Sequence, residues 1–191
     1  GQIKRAAALL KGAERPLIIA GGGVLWSGGA ERLAALSEKG DIPVAYTLMG
    51  KSAFPNSHRR CLGLIGYHGR VAANTALAEA DVILAVGTRF TDRSTGPLST
   101  YASGAKIIHV DIDPAEISKN VSAWLPIVGE AADVLSRLAE ELPRKSRPEW
   151  NTFLAETAAA HPLRQGGAGL SIPGVLDTLG SIVDDPVIVT D

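Results

Sequence analysis

The feature that most constrains the fold of this 191-residue chain is an uninterrupted apolar run, VILAV, at residues 82–86. A charged residue precedes the run and Gly87 follows it. A short run bounded in this way is typical of a strand buried on both faces of a parallel sheet. Further runs alternate with amphipathic helical patterns, and they lie at 17–20, 42–46, 106–110, 125–128 and 186–191. The alternation predicts an α/β fold with a doubly wound parallel sheet.

The composition excludes several classes of function. The formal net charge is −1, which gives no basic surface for nucleic acid or an anionic membrane. Cys61 is the single cysteine, so the chain holds no internal disulfide and no multi-cysteine zinc site. No apolar run approaches the ~20 residues of a membrane span. We therefore expect a soluble, cytoplasmic protein.

Two arginines follow the VILAV run, Arg89 and Arg93. Ligands of open α/β sheets bind beyond the carboxyl ends of the strands, and guanidinium groups pair well with phosphate or carboxylate. The sequence therefore predicts an anion-binding loop after this strand. The alternative is that both arginines are surface charges paired with Asp92.

Two aspartates follow the strand at 106–110. Asp113 precedes Pro114, and this order is typical of a helix cap. Asp111 lies directly at the strand end, where a carboxylate can accept both ribose hydroxyls of a nucleotide. A structural role for Asp111 remains equally open.

A glycine triplet at 21–23 follows the strand at 17–20. It does not match the dinucleotide fingerprint G-x-G-x-x-G, because Trp26 stands at the position of the third glycine. We expect instead a tight turn that lets another domain or a ligand approach the backbone. The following stretch at 47–69 is predicted to be a long, irregular and functional loop.

Four motifs occur in a fixed order: TLMGKSAFP at 47–55, GLIGYHG at 63–69, GTRFTDRSTG at 87–96 and HVDIDPAEISKN at 109–120. Together they resemble the central domain of acetolactate synthase (acetohydroxyacid synthase), a thiamine diphosphate-dependent enzyme. The resemblance extends over about residues 2–142 and implies a Rossmann-like, doubly wound parallel sheet of about six strands. The tail from Ile172 resembles the start of the pyrophosphate-binding domain of that family.

The resemblance divides the chain into three parts. It implies a central domain at 1–143, a linker with a helix at 144–170, and the truncated start of the thiamine pyrophosphate-binding domain at 171–191. We therefore expect the chain to be a fragment of a longer protein.

The resemblance also implies a reaction. The complete enzyme would decarboxylate pyruvate on thiamine diphosphate and condense the product with a second 2-keto acid, with Mg²⁺ anchoring the diphosphate. The catalytic and metal-binding groups would belong to flanking domains, so this chain alone is expected to be inactive and to contain no metal ligands. Its expected partners are those flanking domains, 2-keto acid substrates and further copies in a homo-oligomer.

In this family the central domain holds FAD, which has no net redox role. Matching the motifs implies flavin-ring residues Thr47, Leu48, Met49, Gly50, Gly66, Tyr67 and His68, ribityl-pyrophosphate residues Gly87, Thr88 and Arg89, and adenosine residues Asp111, Ile112 and Glu130. Arg93 matches the arginine that helps recognise the carboxylate of the second keto acid. Tyr67 and Glu130 depart from the family pattern, which has a methionine and an aspartate at these places.

Two alternatives stay open. One is the central domain of another thiamine diphosphate-dependent decarboxylase or carboligase, with a structural role or with bound ADP. The other is a stand-alone nucleotide-binding module. The implied sites require that the loops after Tyr46, Val86 and Val110 meet at one edge of a single parallel sheet.

Overall fold

A computed structural model describes residues 1–98, 101–163, 170–184 and 186–189 of the chain. The chain divides into two compact units, Gly1–His161 and Pro162–Asp191. The first unit contains a six-stranded sheet in the order β3-β2-β1-β4-β5-β6, and all its strand pairs are parallel. This confirms the predicted α/β class and the Rossmann-like doubly wound sheet.

The strands of the sheet are β1 (Pro16–Ala20), β2 (Val44–Tyr46), β3 (Cys61–Leu64), β4 (Val82–Val86), β5 (Lys106–Asp111) and β6 (Leu125–Val128). The helices of the first unit are α1 (Gln2–Gly12), α2 (Gly22–Trp26), α3 (Ala30–Gly40), α4 (Val71–Glu79), α5 (Asp92–Thr95), α6 (Ala131–Glu141) and α7 (Pro148–Ala160). No helix among the described residues is both long enough and apolar enough to cross a membrane.

Successive side chains of the central strands point to opposite faces of the sheet and so contribute to two hydrophobic cores, one on each face. On β1, Ile18 belongs to the core beneath α1, α3 and α6, whereas Leu17 and Ile19 belong to the core beneath α4 and α7. The five residues of β4 are buried in the same alternating manner. Burial on both faces explains why this strand reads as a continuous apolar run.

Two differences from the predicted strands have local causes. Strand β2 begins at Val44 rather than at residue 42, since Pro43 has no N–H to donate to the sheet. Strand β3 lies within the stretch predicted to be an irregular loop. It is a half-buried edge strand with Gly63 at φ +86° and a register shift against β2, so it lacks the apolar run that identifies the central strands.

Helix α7 packs on the α/β unit. Trp150 and Leu154 are buried in the core beneath α4, and the Trp150 Nε1–H donates to the Pro16 carbonyl oxygen at 3.0 Å. The first unit therefore continues to His161, and the boundary expected at 143 falls inside it.

The second unit contains one described helix, α8 (Ile172–Ile182). Ser171 caps it as the sequence predicts, because its Oγ accepts the Gly174 N–H at 3.2 Å. The last predicted strand is not observed: residues 186–189 have no strand assignment. The rest of that prediction, residues 190 and 191, lies outside the described residues.

Candidate functional site at the carboxyl edge of the sheet

The loops that leave the sheet are joined to one another by backbone hydrogen bonds. In each case an N–H just beyond one strand donates to a carbonyl at the end of its neighbour: Thr47 to Ala20 at 3.0 Å, Gly21 to Val86 at 2.9 Å, Gly87 to Val110 at 2.8 Å and Gly129 to Asp111 at 2.9 Å. The loops after Tyr46, Val86 and Val110 therefore meet at one edge, as the sequence predicts. We call this edge, with the loops that follow β1 to β6, the carboxyl edge.

The glycine triplet approaches the chain's own backbone. A Cβ on Gly21 would lie 2.1 Å from the Gly87 oxygen, and Gly87 itself has φ +60°. This close packing is possible only without side chains. The expected tight turn brings the β1 and β4 loops into contact, and Gly22 already belongs to helix α2.

The loop after β2 presents apolar side chains to solvent. Leu48 and Met49 are 72% and 67% exposed on a 3₁₀ turn that spans Leu48–Gly50. A Cβ on Gly22 would lie 3.2 Å from the Met49 Cβ and 3.6 Å from the Trp26 Nε1, so these two side chains flank Gly22. Trp26 is 86% exposed. Three exposed apolar side chains close together at the carboxyl edge are typical of a surface that a ligand or another domain covers.

The loop after β3 is held in place by Asn74 of α4. Its Oδ1 accepts the Gly66 N–H at 3.0 Å and its Nδ2 donates to the Gly66 oxygen at 2.9 Å. The Tyr67 N–H donates to the Arg93 oxygen at 3.0 Å, which joins this loop to the loop after β4. Tyr67 is 82% exposed, and its ring meets the His68 ring edge-on at 4.9 Å.

The loop after β4 turns its arginines outward. Thr88 and Phe90 are buried, whereas Arg89 between them and Arg93 are exposed. In the described part of the chain neither guanidinium forms an ion pair. Asp92 instead accepts the backbone N–H of Arg93 at 2.8 Å. Pairing with Asp92 therefore does not account for the two arginines, and both remain available to an anion.

The aspartates after β5 differ in their roles. Asp111 is buried, and its Oδ1 accepts the Asp113 N–H at 3.0 Å. Asp113 in turn accepts the Ala115 N–H at 2.9 Å. The residues after it form a turn, so Asp113 caps a turn and not the predicted helix. Ile112 is largely exposed beside Asp111.

Glu130 is the N-cap residue of α6 and follows β6 at the same edge. Its side chain is exposed and makes no cap hydrogen bond. All the residues that the resemblance implies for FAD therefore lie on strand exits of one edge. Within the described residues no cluster of three or more histidine, cysteine or carboxylate groups could hold a metal ion.

Sequence reasoning missed three residues that support these loops: Asn74, His109 and Asn120. His109 is fully buried within β5, and its Nε2 lies 2.9 Å from the Thr88 oxygen. Burial lowers the pKa of His109, while the hydrogen bond to Thr88 and the charges of Asp111 and Glu116 oppose this shift. A polar residue inside the apolar run IIHV at 107–110 was the available signal. Asn74 and Asn120 lie in segments with no such pattern.

The sequence matches a family of known domains. The model of the thiamine pyrophosphate enzyme central domain matches residues 3–138. A probable acetolactate synthase large subunit from Methanocaldococcus jannaschii is 55% identical over 141 residues, which are 74% of this chain and 24% of that protein. Acetolactate synthase from Mycobacterium avium is 43% identical over 190 residues, 95% of this chain and 31% of that protein.

A third relative, the acetolactate synthase large subunit of Buchnera aphidicola subsp. Acyrthosiphon pisum, is 45% identical over 158 residues, 80% of this chain and 28% of that protein. The chain thus spans 24% to 31% of the length of these curated relatives. Residues 3–138 include the whole sheet and every loop of the carboxyl edge. The three relatives described above carry the name acetolactate synthase, and the chain itself belongs to the family of thiamine pyrophosphate enzyme central domains.

Proposed function

We propose that this chain is the FAD-holding scaffold of an enzyme that condenses 2-keto acids after decarboxylating pyruvate on thiamine diphosphate. The observation that carries the proposal is the assembly of Arg89, Asp111 and exposed apolar side chains on one edge of a parallel sheet. Membership of the family supports the use of thiamine diphosphate. Thiamine diphosphate and Mg²⁺ would be held by domains that flank this one.

The edge offers a surface suited to a flavin ring. Leu48, Met49 and Tyr67 expose apolar area on loops whose glycines, Gly50 and Gly66, pack against the backbone of the neighbouring loops. Thr47 and His68 border the same loops. Aromatic rings and methionine pack well on a polarizable surface.

The polar residues fit the remaining parts of FAD. Arg89 offers the pyrophosphate a guanidinium that has no ion-pair partner among the described residues, next to the backbone of Gly87 and Thr88. The Asp111 carboxylate suits ribose hydroxyls, with Ile112 as an apolar neighbour for adenosine. Glu130 at the start of α6 can accept hydrogen bonds from an adenine amino group. In the complete enzyme the FAD would fill this edge without a net redox role.

Flavin titration of the full polypeptide that carries this chain tests the proposal. We expect FAD to bind with quenching of its fluorescence, and Arg89→Ala to weaken the binding about tenfold because a charge-assisted hydrogen bond is lost. Arg144→Ala, an exposed arginine beyond the end of α6, is the matched control and should bind as the wild type does. If the wild type binds ADP but not FAD, the domain belongs to the ADP-binding alternative.

Arg93 is proposed to recognise the carboxylate of the second 2-keto acid, because its guanidinium is exposed on the same edge and forms no ion pair with any described residue. In the complete enzyme Arg93→Ala should change the ratio of products when pyruvate competes with a longer 2-keto acid. FAD affinity should remain unchanged, which separates this role from that of Arg89. An unaltered product ratio would remove the role from Arg93.

The proposed partners are the flanking thiamine-binding domains of the same polypeptide and further copies of the enzyme in a homo-oligomer. The exposed apolar group on the β2 loop is consistent with cover by such a partner or by the cofactor. Sedimentation analysis of the full polypeptide checks the oligomeric state.

A further inference from the structure

The peptide groups on either side of Arg89 are each held by one side chain from elsewhere in the fold. The Thr88 oxygen, which precedes Arg89, lies 2.9 Å from the His109 Nε2. The Arg89 oxygen accepts the Asn120 Nδ2–H at 2.9 Å. These two contacts fix the planes of both peptide groups that join Arg89 to the chain.

His109 can serve this purpose only while its Nε2 carries a proton. A carbonyl oxygen accepts, so the Nε2 must carry the proton that it shares with Thr88. Burial lowers the pKa of His109, which favours the neutral imidazole. Its Nδ1 is buried and has no hydrogen-bond partner among the described residues. A buried nitrogen without a partner costs folding free energy, so the ring is poorly explained as simple core packing.

The loop needs such an anchor because its backbone is strained. Phe90 has φ +49°, a left-handed conformation that is unusual for a bulky residue. Strain of this kind persists only where the surroundings impose it. The Phe90 ring is buried and meets the His109 ring edge-on at 4.8 Å. His109 therefore holds the loop on both sides of Arg89, through the Thr88 oxygen and the Phe90 ring.

We propose that His109 and Asn120 are positioning residues that aim the Arg89 guanidinium at the pyrophosphate of a nucleotide cofactor bound at the carboxyl edge. Thr88 and Phe90 are buried and Arg89 between them is exposed, so the guanidinium faces outward. The side chains of His109 and Asn120 hold the backbone in that arrangement. The proposal rests on the proposed function for the identity of the ligand. It goes beyond that function because neither residue needs to contact the cofactor.

A double-mutant cycle in the full polypeptide tests the coupling. His109→Phe keeps an aromatic ring but removes the donor, and it should raise the dissociation constant for FAD about tenfold. His109→Gln restores a donor and should recover much of the affinity. The pair His109→Phe with Arg89→Ala should bind no more weakly than Arg89→Ala alone, because His109 acts through Arg89. Asn120→Ala should behave as His109→Phe does.

Ile107→Ala provides the control for general loss of stability, since Ile107 lies two residues earlier in the same core beneath α4 and α7. It should destabilise the fold and leave FAD affinity near the wild-type value. Equal losses in Ile107→Ala and His109→Phe, or additive losses in the double variant, would overturn the positioning role.

Hydrogen exchange separates this proposal from the choice of cofactor. In the cofactor-free protein, His109→Phe should speed amide exchange in the segment 88–91 relative to Ile107→Ala. If the wild type binds neither FAD nor ADP, the proposed function fails and the exchange result alone decides the positioning role. Unchanged exchange in His109→Phe would overturn it.

Discussion

At the scale of single residues, the candidate site depends on backbone that only glycine can provide. Gly66 has φ +103°, and a Cβ on it would lie 2.2 Å from the Arg93 oxygen. Asn74 forms hydrogen bonds with both polar backbone atoms of Gly66 and so fixes this backbone conformation. The β3 and β4 loops can therefore share one edge only while residue 66 has no side chain.

Gly66→Ala should reduce the free energy of unfolding by about 3 kcal/mol or more, because it combines a positive φ with a backbone clash. Two matched variants separate the causes. Gly96→Ala has φ +63° but open space and should cost about 1 kcal/mol. Gly104→Ala has open space and no positive φ and should change stability by less than about 0.5 kcal/mol. Urea unfolding measures all three; equal losses for Gly66→Ala and Gly96→Ala would show that the clash is relieved at no cost.

At the scale of elements, a buried ionic cluster joins the segment before α7 to the rest of the unit. Asp41, the C-cap residue directly after α3, accepts hydrogen bonds from the Arg60 Nε at 2.7 Å and from the Arg147 backbone N–H at 2.8 Å. The Arg147 side chain donates to the carbonyl oxygens of Leu10, Ala13 and Gly40. This cluster holds the segment at 143–148, which composition alone suggests is a domain boundary, against the ends of α1 and α3.

The cluster predicts a specific loss of stability in acid. Burial raises the pKa of Asp41, but hydrogen bonds from Arg147 and Arg60 and the charges of Arg60 and Arg59 outweigh it, so the pKa lies below the ordinary value of 3.8. The unfolded state therefore takes up the proton first as the pH falls. The stability that Asp41 contributes is fully present above about pH 3.8, the ordinary pKa of the group. It is lost as the pH falls from there through the lower pKa of the folded state.

Asp41→Asn should lower the free energy of unfolding by about 2 kcal/mol near neutral pH, because the buried arginines lose their charged partner. The difference from the wild type should shrink as the carboxyl group is protonated. Urea unfolding between about pH 7 and pH 3 measures this. Asp133→Asn, on the exposed surface of α6, is the control and should change stability by less than about 0.5 kcal/mol at any pH. A pH-independent difference for Asp41→Asn would contradict the assignment.

At the scale of the whole molecule, the position of the boundary decides which fragment folds. The first unit ends at His161, since α7 covers one face of the sheet with Trp150 and Leu154. A fragment of residues 1–161 should therefore retain a single cooperative transition.

A fragment of residues 1–143 should lose at least about 3 kcal/mol of stability, because it exposes the core beneath α7 and removes the Arg147 contacts. Thermal unfolding followed by circular dichroism compares the two fragments. Equal midpoints would show that α7 is dispensable and would favour the boundary expected from the sequence.

Much of the fold could be predicted from the sequence, because the central strands carry their own signal. Strands β1, β4, β5 and β6 are apolar runs ended by glycine or charge, and parallel order follows from their alternation with helices. Strand β3 could not be predicted in this way, since an edge strand with a glycine at positive φ has no such run. The apolar pattern of β3 is weak, and its strand conformation depends on pairing with β2.

The candidate site divides in the same way. Arg89, Arg93 and Asp111 follow recognisable strands, so the sequence could place them on one edge. The residues that hold those loops, Asn74, His109 and Asn120, come from α4, β5 and the segment before β6. Their contacts depend on how the chain folds back on itself, and a local signal, a polar residue within an apolar run, marks His109 alone of the three.

The sequence by itself determined the alternation of strands and helices, the parallel sheet and the loops that carry polar side chains, because hydrophobic periodicity is a local property. Tertiary structure alone decided that Gly21 packs on Gly87, that α7 belongs to the first unit and that His109 holds the Thr88 oxygen. Each of these depends on atoms brought within hydrogen-bond or van der Waals distance by folding. Such distances are set by the packing of the whole unit, and sequence spacing does not encode them.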